Sequence, residues 1–308
     1  MVALVLVALA GFLAQLVDGS LGMGFGVTAT TGLLAVGTVP AMASASVHLA
    51  KIGTAVVSGI SHWRLDNVDW PVVGWLAVPG AIGGFAGATI LASVAIAAGK
   101  TWMAALLLAL GMYVLLRFSV RQQPVRSSTL TPAGRRWLAP LGMVAGFVDA
   151  TGGGGWGPVT TSTLLTTGRM IPRRTVGSVN TSELVVSLGA SAGFLTTLGG
   201  GALSGTVIAG LLVGGMLAAP LAAWLVRILP SRLLGIGAGG LIVLTNMGIL
   251  LEVVGLSGPV RAGLFMGGAL AWVVTLGWMV RNAVIRHRNA PARSAEAFSE
   301  QEELPRAA

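Results

Sequence analysis

The chain has no cysteine and little charge, and both shortages exclude whole classes of function. Without cysteine there are no disulfides, no thiolate metal sites and no cysteine-based sulfur relay, although the compartment stays open. Of its 308 residues only 9% are charged against 54% hydrophobic, with a mean hydropathy of +0.85, which leaves too little polar surface to dress a soluble globule. Also missing is the basic leader of a signal peptide: Met1 to Ala10 runs straight into further apolar sequence and reads as a retained membrane segment.

What is present is a series of apolar stretches from Met1 to about Val284, many of them near the roughly 20 residues that cross a hydrocarbon core. The net charge of +9 does not point to nucleic acid, because the basic residues sit in short segments between apolar spans. Arg117, Arg121, Arg126, Arg135 and Arg136 form one cluster without an intervening acid, and Arg281, Arg286, Arg288 and Arg293 form another. Both are expected on the cytoplasmic side by the positive-inside rule. The expected location is a bacterial inner membrane, crossed several times.

The sequence repeats itself. Asp18-Gly-Ser-Leu-Gly-Met-Gly-Phe-Gly26 aligns with Asp149-Ala-Thr-Gly-Gly-Gly-Gly-Trp-Gly157. Gly37 then falls on Gly168 and, after a one-residue slip, Pro40 on Pro172, Ser46 on Ser178, His48 on Asn180 and Lys51 on Glu183. The Gly/Ala-rich run from Pro79 to Gly87 stands opposite Gly214 to Ala222.

Apolar segments at 2–18 and 27–37 flank the first glycine break and are followed by 40–62, 70–92 and 100–117. In the second half 137–149 and 157–168 flank the second break, followed by 172–198, 204–228, 232–252 and an extra span at 259–281. Pieces beside the breaks are too short to span alone, so each pair reads as a helical hairpin dipping in from one side. The domain reading is a first repeat at 1–117, a basic cytoplasmic linker at 118–136, a second repeat at 137–252, an extra transmembrane helix at 253–284 and a disordered cytoplasmic tail at 285–308.

Parity of the crossings orients the halves. With the linker inside, the loop from Gly37 to Pro40 is outside, whereas its equivalent from Arg169 to Arg174 carries three arginines and belongs inside. Arg261 lands outside as the exception to the charge rule. The expected fold is therefore an all-α polytopic membrane protein of two inverted-topology repeats, each a glycine-broken helical hairpin followed by transmembrane helices. That architecture typifies secondary transporters, with the substrate held where the interruptions meet.

Ionisable groups within lipid cost about 2.5 to 3.5 kcal/mol each on insertion scales, so those retained call for a role. Asp18, His48, Lys51, Asp149 and Glu183 lie within apolar segments. Ser44, His48 and Lys51 share one helix face, and Asn180 and Glu183 repeat the spacing, with Ser182 beside them. In an inverted pair the two faces meet and form one polar site. An ammonium in mid-crossing needs an anion: for Lys51 this is either a bound substrate or a standing ion pair with Glu183 or Asp18.

The glycine runs, Gly22, Gly24 and Gly26 in one half and Gly153, Gly155 and Gly157 in the other, unwind the chain before a helix restarts. Their backbone N–H groups and the positive helix end can hold an oxyanion; alternatively, they serve close helix packing. Asp18 and Asp149 close the first half of each break, as hinges that accept N–H bonds from the glycine loop or as proton relays. Trp156 either packs in the membrane or lines the substrate cavity. Together a buried lysine and two unwound segments are expected to make a positive pocket.

At the two Asp-headed glycine breaks, with Pro40 to Lys51, Leu65 to Trp70 and Gly177-Ser-Val-Asn-Thr-Ser-Glu183, the chain resembles the TauE/SafE family of sulfite and organosulfonate exporters over nearly all of residues 1–282. The resemblance implies export of sulfite, sulfoacetate or related sulfonates. Leu21, Met23 and Phe25 depart from the usual glycine-rich form of the first break.

An inside-negative membrane drives each negative charge outward with about 2.3 kcal/mol per 100 mV, so a sulfonate needs no coupling ion, though Glu183 or His48 could add one. The reading calls for no cofactor and no metal, takes a small anion and the lipid bilayer as partners, and is compatible with a homo-oligomer. A rival is a cation or metal transporter using Asp18, Asp149, Glu183, His48 and Met23, against which the fixed charge of Lys51 speaks. An intramembrane enzyme built from Ser44, His48, Asp18 and Asp149 matches no known catalytic spacing.

Overall fold

The computed structural model describes residues 2–21, 24–119, 130, 132–166, 170, 172–228, 231–256 and 258–302, and every regular element among them is helical. The first half contains α1 (Val2–Leu21), α2 (Phe25–Ala35), α3 (Pro40–Arg64), α4 (Trp70–Ser93) and α5 (Ile96–Ser119). A short α6 (Pro132–Arg136) ends the linker, which otherwise lies largely outside the described residues. The second half follows with α7 (Leu138–Gly152), a π-helical turn at Gly157–Thr161 continued by α8 (Ser162–Thr166), then α9 (Pro172–Leu198), α10 (Gly205–Ile228), α11 (Ser231–Val253) and α12 (Gly258–Glu302). Among the described residues α3, α4, α5 and α12 each contain a stretch long and apolar enough to cross a membrane. At about 1.5 Å per residue, the 11-residue α2 reaches about half the hydrocarbon thickness, as a re-entrant hairpin arm should.

Apolar side chains cover the outside as well as the core, and several polar groups are buried among them. Leu6, Leu9, Val78, Ile82, Leu264 and Val273 face outward, whereas Ser44, His48, Lys51, Asp149, Ser178 and Asn246 are buried. Lipid removes the usual hydrophobic drive between helices, so close approach of backbones must hold the bundle. Glycines supply it. A Cβ on Gly146 would lie 2.0 Å from the Gly80 carbonyl oxygen, and one on Gly83 would lie 2.0 Å from that of Met143, so α4 and α7 touch backbone to backbone. Gly189 and Gly193 of α9 meet Ala81 and Phe85 of α4, and Gly214 of α10 meets Ala8 of α1, in the same way.

The main helix pairs are α1 with α10, α4 with α7, α4 with α9, α5 with α11 and α3 with α9. The helices α3 and α9 run antiparallel, with Lys51 meeting Glu183 and Ser58 meeting Asn180. On α5 and α11, Lys100 meets Glu252 and Gly111 meets Ile242.

Two expectations change. Asp18 and Asp149 are not the last helical residues, since α1 runs to Leu21 and α7 to Gly152. Each aspartate sits in the final turn and reaches forward across the break. The stretch from residue 285, expected as a disordered tail, is continuous with α12 as far as Glu302; its alanine, arginine and glutamate content favours helix. Arg261, the exception to the charge rule, pairs with Glu252 at 3.1 Å beside Lys100, tying α12 to α11 and α5.

The start of α4 offers a direct test of local stability. Asp69 caps it, accepting from the Val72 N–H at 3.3 Å, while its own N–H donates to Ser178 Oγ at 2.8 Å. Asp69→Ala is expected to cost about 1 kcal/mol, read as a lower thermal midpoint in detergent, and Asp69→Asn a few tenths at most.

Candidate functional site

Lys51 stands at the crossing of α3 and α9. Its Nζ lies 2.5 Å from Glu183 Oε1 and 3.2 Å from Asp149 Oδ2. The periodicity that puts Ser44, His48 and Lys51 on one face of α3 aims them all at α7. Ser44 Oγ donates to the Ala150 carbonyl at 2.6 Å, and His48 Nε2 lies 3.1 Å from Asp149 Oδ2.

Asp149 is the most firmly held of these groups. Its Oδ1 accepts from the Gly155 and Trp156 N–H groups at 2.8 and 3.1 Å, while Oδ2 faces His48 and Lys51. Asp18 does the equivalent at the first break, where its Oδ1 accepts from the Phe25 N–H at 3.2 Å. Both carboxylates thus brace a glycine break from the preceding helical turn.

Hydrogen-bond chemistry sets the charge of the His48–Asp149 pair. His48 Nδ1 lies 2.8 Å from the Ser44 carbonyl oxygen, which only accepts, so Nδ1 carries hydrogen. Nε2 faces a carboxylate oxygen, so a second hydrogen lies between them. Whether that hydrogen rests on the ring or on the carboxyl, the pair is neutral as a unit. Lys51 with Glu183 forms a second neutral pair. Of the two readings of Lys51, the structure shows the standing ion pair with Glu183, joined by Asp149; an unpaired ammonium there would carry a desolvation cost of several kcal/mol.

The two breaks touch. A Cβ on Gly26 would lie 2.7 Å from Gly154 Cα, and Thr30 Oγ1 donates to the Gly153 carbonyl at 2.5 Å. Gly24 and Gly153 have φ of +134° and +68°, which suits glycine where each chain turns out of its helix. Between the breaks lies a narrow cavity with a free volume of about 10 Å³, about the space one water needs.

Of the residues singled out in the sequence, Asp18, Gly24 and Gly26 reach this cavity from the first break and Gly155 and Gly157 from the second. Lys51, Asn180 and Glu183 reach it from α3 and α9. Ser44, His48 and Asp149 stand behind Lys51. Trp156 and Ser182 are turned away: the Trp156 indole N–H donates to the Val179 carbonyl at 3.1 Å, and Ser182 Oγ donates to the same oxygen at 2.7 Å. Both are fully buried, so the cavity-lining reading of Trp156 gives way to the packing one. Gly22 and Met23 lie outside the described residues.

Sequence reading missed the direct pairing of Asp149 with Lys51 and His48. It also passed over Phe25, Val27 and Pro158, which wall the cavity, because apolar residues carry no signal in an apolar chain. Asn246, buried on α11 and donating to Thr31 Oγ1 at 3.0 Å, lies outside the aligned stretches that pointed to Ser44 and Asn180 and so carries no signal in the sequence.

A narrow polar site among helices long and apolar enough to cross a membrane, at the contact of two glycine-broken segments, is the arrangement expected of a membrane transporter. The chain belongs to the TauE/SafE family: residues 7–249 match the family described as "Sulfite exporter TauE/SafE". It is also 47% identical over 243 residues to the "Probable membrane transporter protein YtnM" of Bacillus subtilis (strain 168), covering 79% of this chain and 81% of that protein. No solved structure matches it.

Proposed function

We propose that the protein exports small sulfur-containing anions, such as sulfite, sulfoacetate or related organosulfonates, across a bacterial inner membrane by alternating access. The observation that carries this reading is the Lys51 ammonium at the contact of the two glycine breaks, in a cavity it shares with Glu183. An oxyanion can take the place of the Glu183 carboxylate on that ammonium, since both present oxygen acceptors to the same donor. The family description supports the chemical class of the cargo.

The two repeats are proposed to be inverted, related by an axis perpendicular to the helices. The antiparallel course of α3 against α9 and of α5 against α11 supports this, because an axis along the helices would make equivalent helices parallel. The cavity, with a free volume of about 10 Å³, is smaller than the proposed cargo. Loading then requires the breaks to part toward one side, and release requires them to part toward the other.

The test is transport by the purified protein in liposomes, with labelled sulfoacetate competed by sulfite, taurine and sulfate. Sulfite is expected to compete well and zwitterionic taurine poorly. Absence of flux for every one of these anions would overturn the proposal, as would cation flux that none of them inhibits.

A further inference from the structure

The two carboxylates on Lys51 are held very differently. Asp149 has a side chain with no exposure, two backbone N–H donors and His48 as well as Lys51. Glu183 has Lys51 as its partner among the described residues, and its side chain is 18% exposed in the cavity. An arriving anion therefore displaces Glu183 and leaves Asp149 in place. The charged groups that face Glu183 are Lys51 from α3, Asp149 from α7 and Asp18 from α1, with His48 behind Asp149.

Displacement raises a question of charge. A carboxylate driven off Lys51 would stand beside an incoming anion, Asp149 and Asp18, in a narrow cavity with room for about one water, an arrangement a low-dielectric site does not tolerate. A proton resolves it. Resting on the anion-carrier reading above, we infer that Glu183 is the proton-carrying gate of the site: one proton binds Glu183 as the anion takes Lys51, and the two cross together. The loaded site holds Lys51 ammonium, a monoanion and a neutral Glu183 carboxyl. The returning site holds Lys51 ammonium and Glu183 carboxylate. The proton comes from the loading side and leaves on the other. Both limbs carry the same charge, so transport of a monoanion is electroneutral and draws nothing from the membrane potential; export then runs down the anion's own concentration gradient.

The experiment uses the full chain in liposomes with a labelled alkanesulfonate monoanion, whose charge does not change over the working pH range. At zero voltage, set with potassium and valinomycin, a one-unit pH difference is expected to drive about tenfold accumulation toward the alkaline side. At equal pH, a 100 mV potential is expected to drive none. Glu183→Gln removes the displaceable carboxylate from Lys51 at every pH and leaves Asp149 in place, so its flux should ignore the pH difference and follow voltage, with up to about 50-fold accumulation per 100 mV. Should that variant fail to fold, the wild-type pair of gradients decides alone. Wild-type accumulation that follows voltage and ignores pH overturns proton coupling while leaving the anion carrier intact. A wild type that moves no anion under either gradient overturns the carrier reading itself.

Discussion

Lys51→Ala is expected to lower anion flux by about 100-fold or more, while the protein remains extractable and folded in detergent. Removing one partner of a buried, hydrogen-bonded pair typically costs about 3 to 5 kcal/mol, and about 1.4 kcal/mol of binding is tenfold in affinity. The protein can absorb much of the loss itself, because Asp149 keeps His48 and two backbone N–H donors and Glu183 can take up a proton. The anion cannot, since no other cation from the described residues lines the cavity. Lys51→Arg keeps the charge but enlarges the head in a closed space, and should retain part of the flux. A carrier of cations responds the other way, because removing a fixed positive charge eases entry. Flux in liposomes, with monodispersity in detergent as the check on folding, separates these outcomes; unchanged anion flux in Lys51→Ala removes the lysine from the mechanism.

Gly154→Ala is expected to be as damaging, for a steric reason. A Cβ there would lie 2.1 Å from the Val27 amide nitrogen and 2.3 Å from the Gly26 carbonyl carbon. Both are backbone atoms, so no rotamer change relieves the clash and one break must move off the other. Overpacking of this kind typically costs about 1 to 3 kcal/mol. The movement also pulls on the N–H groups of Gly155 and Trp156 that hold Asp149. A clear drop in thermal midpoint and more than about tenfold loss of flux are expected together. Gly263→Ala on α12 is the control, because its Cβ would meet nothing within 4 Å. There alanine should be neutral or raise helix stability by up to about 1 kcal/mol. Equal behaviour of the two variants would mean that the breaks need not touch.

Much of the helical layout is legible in the chain. The segment read as 172–198 is α9 to the residue, and 70–92 becomes Trp70–Ser93. Runs of apolar residues bounded by proline, glycine or arginine are local signals, and in lipid the backbone has no alternative to helix. The meeting of Lys51 with Glu183 is also legible, because the two residues hold the same place in aligned stretches of the chain and each needs a partner in lipid. Asp149 shows the limit. Its place before the glycine run marked it as a brace for the loop, and it is one, but nothing local shows that α3 delivers His48 and Lys51 to its other oxygen. Trp156 and Ser182 failed differently. Their neighbours in sequence reach the cavity, yet the π-helical turn and the rotation of α9 point these two side chains at the Val179 carbonyl.

By itself the sequence determined that this protein lives in a membrane, where its helices run, and which few polar groups it keeps among apolar segments. Each follows from composition and spacing along the chain. Only the tertiary structure decided that the breaks abut at Gly26 and Gly154, that the cavity between them is closed, and that Lys51 shares itself between a fixed and a loosely held carboxylate. Those outcomes depend on how closely helices far apart in sequence approach and at what rotation. That is set by glycine contacts between pairs such as α4 and α7, which no local pattern records.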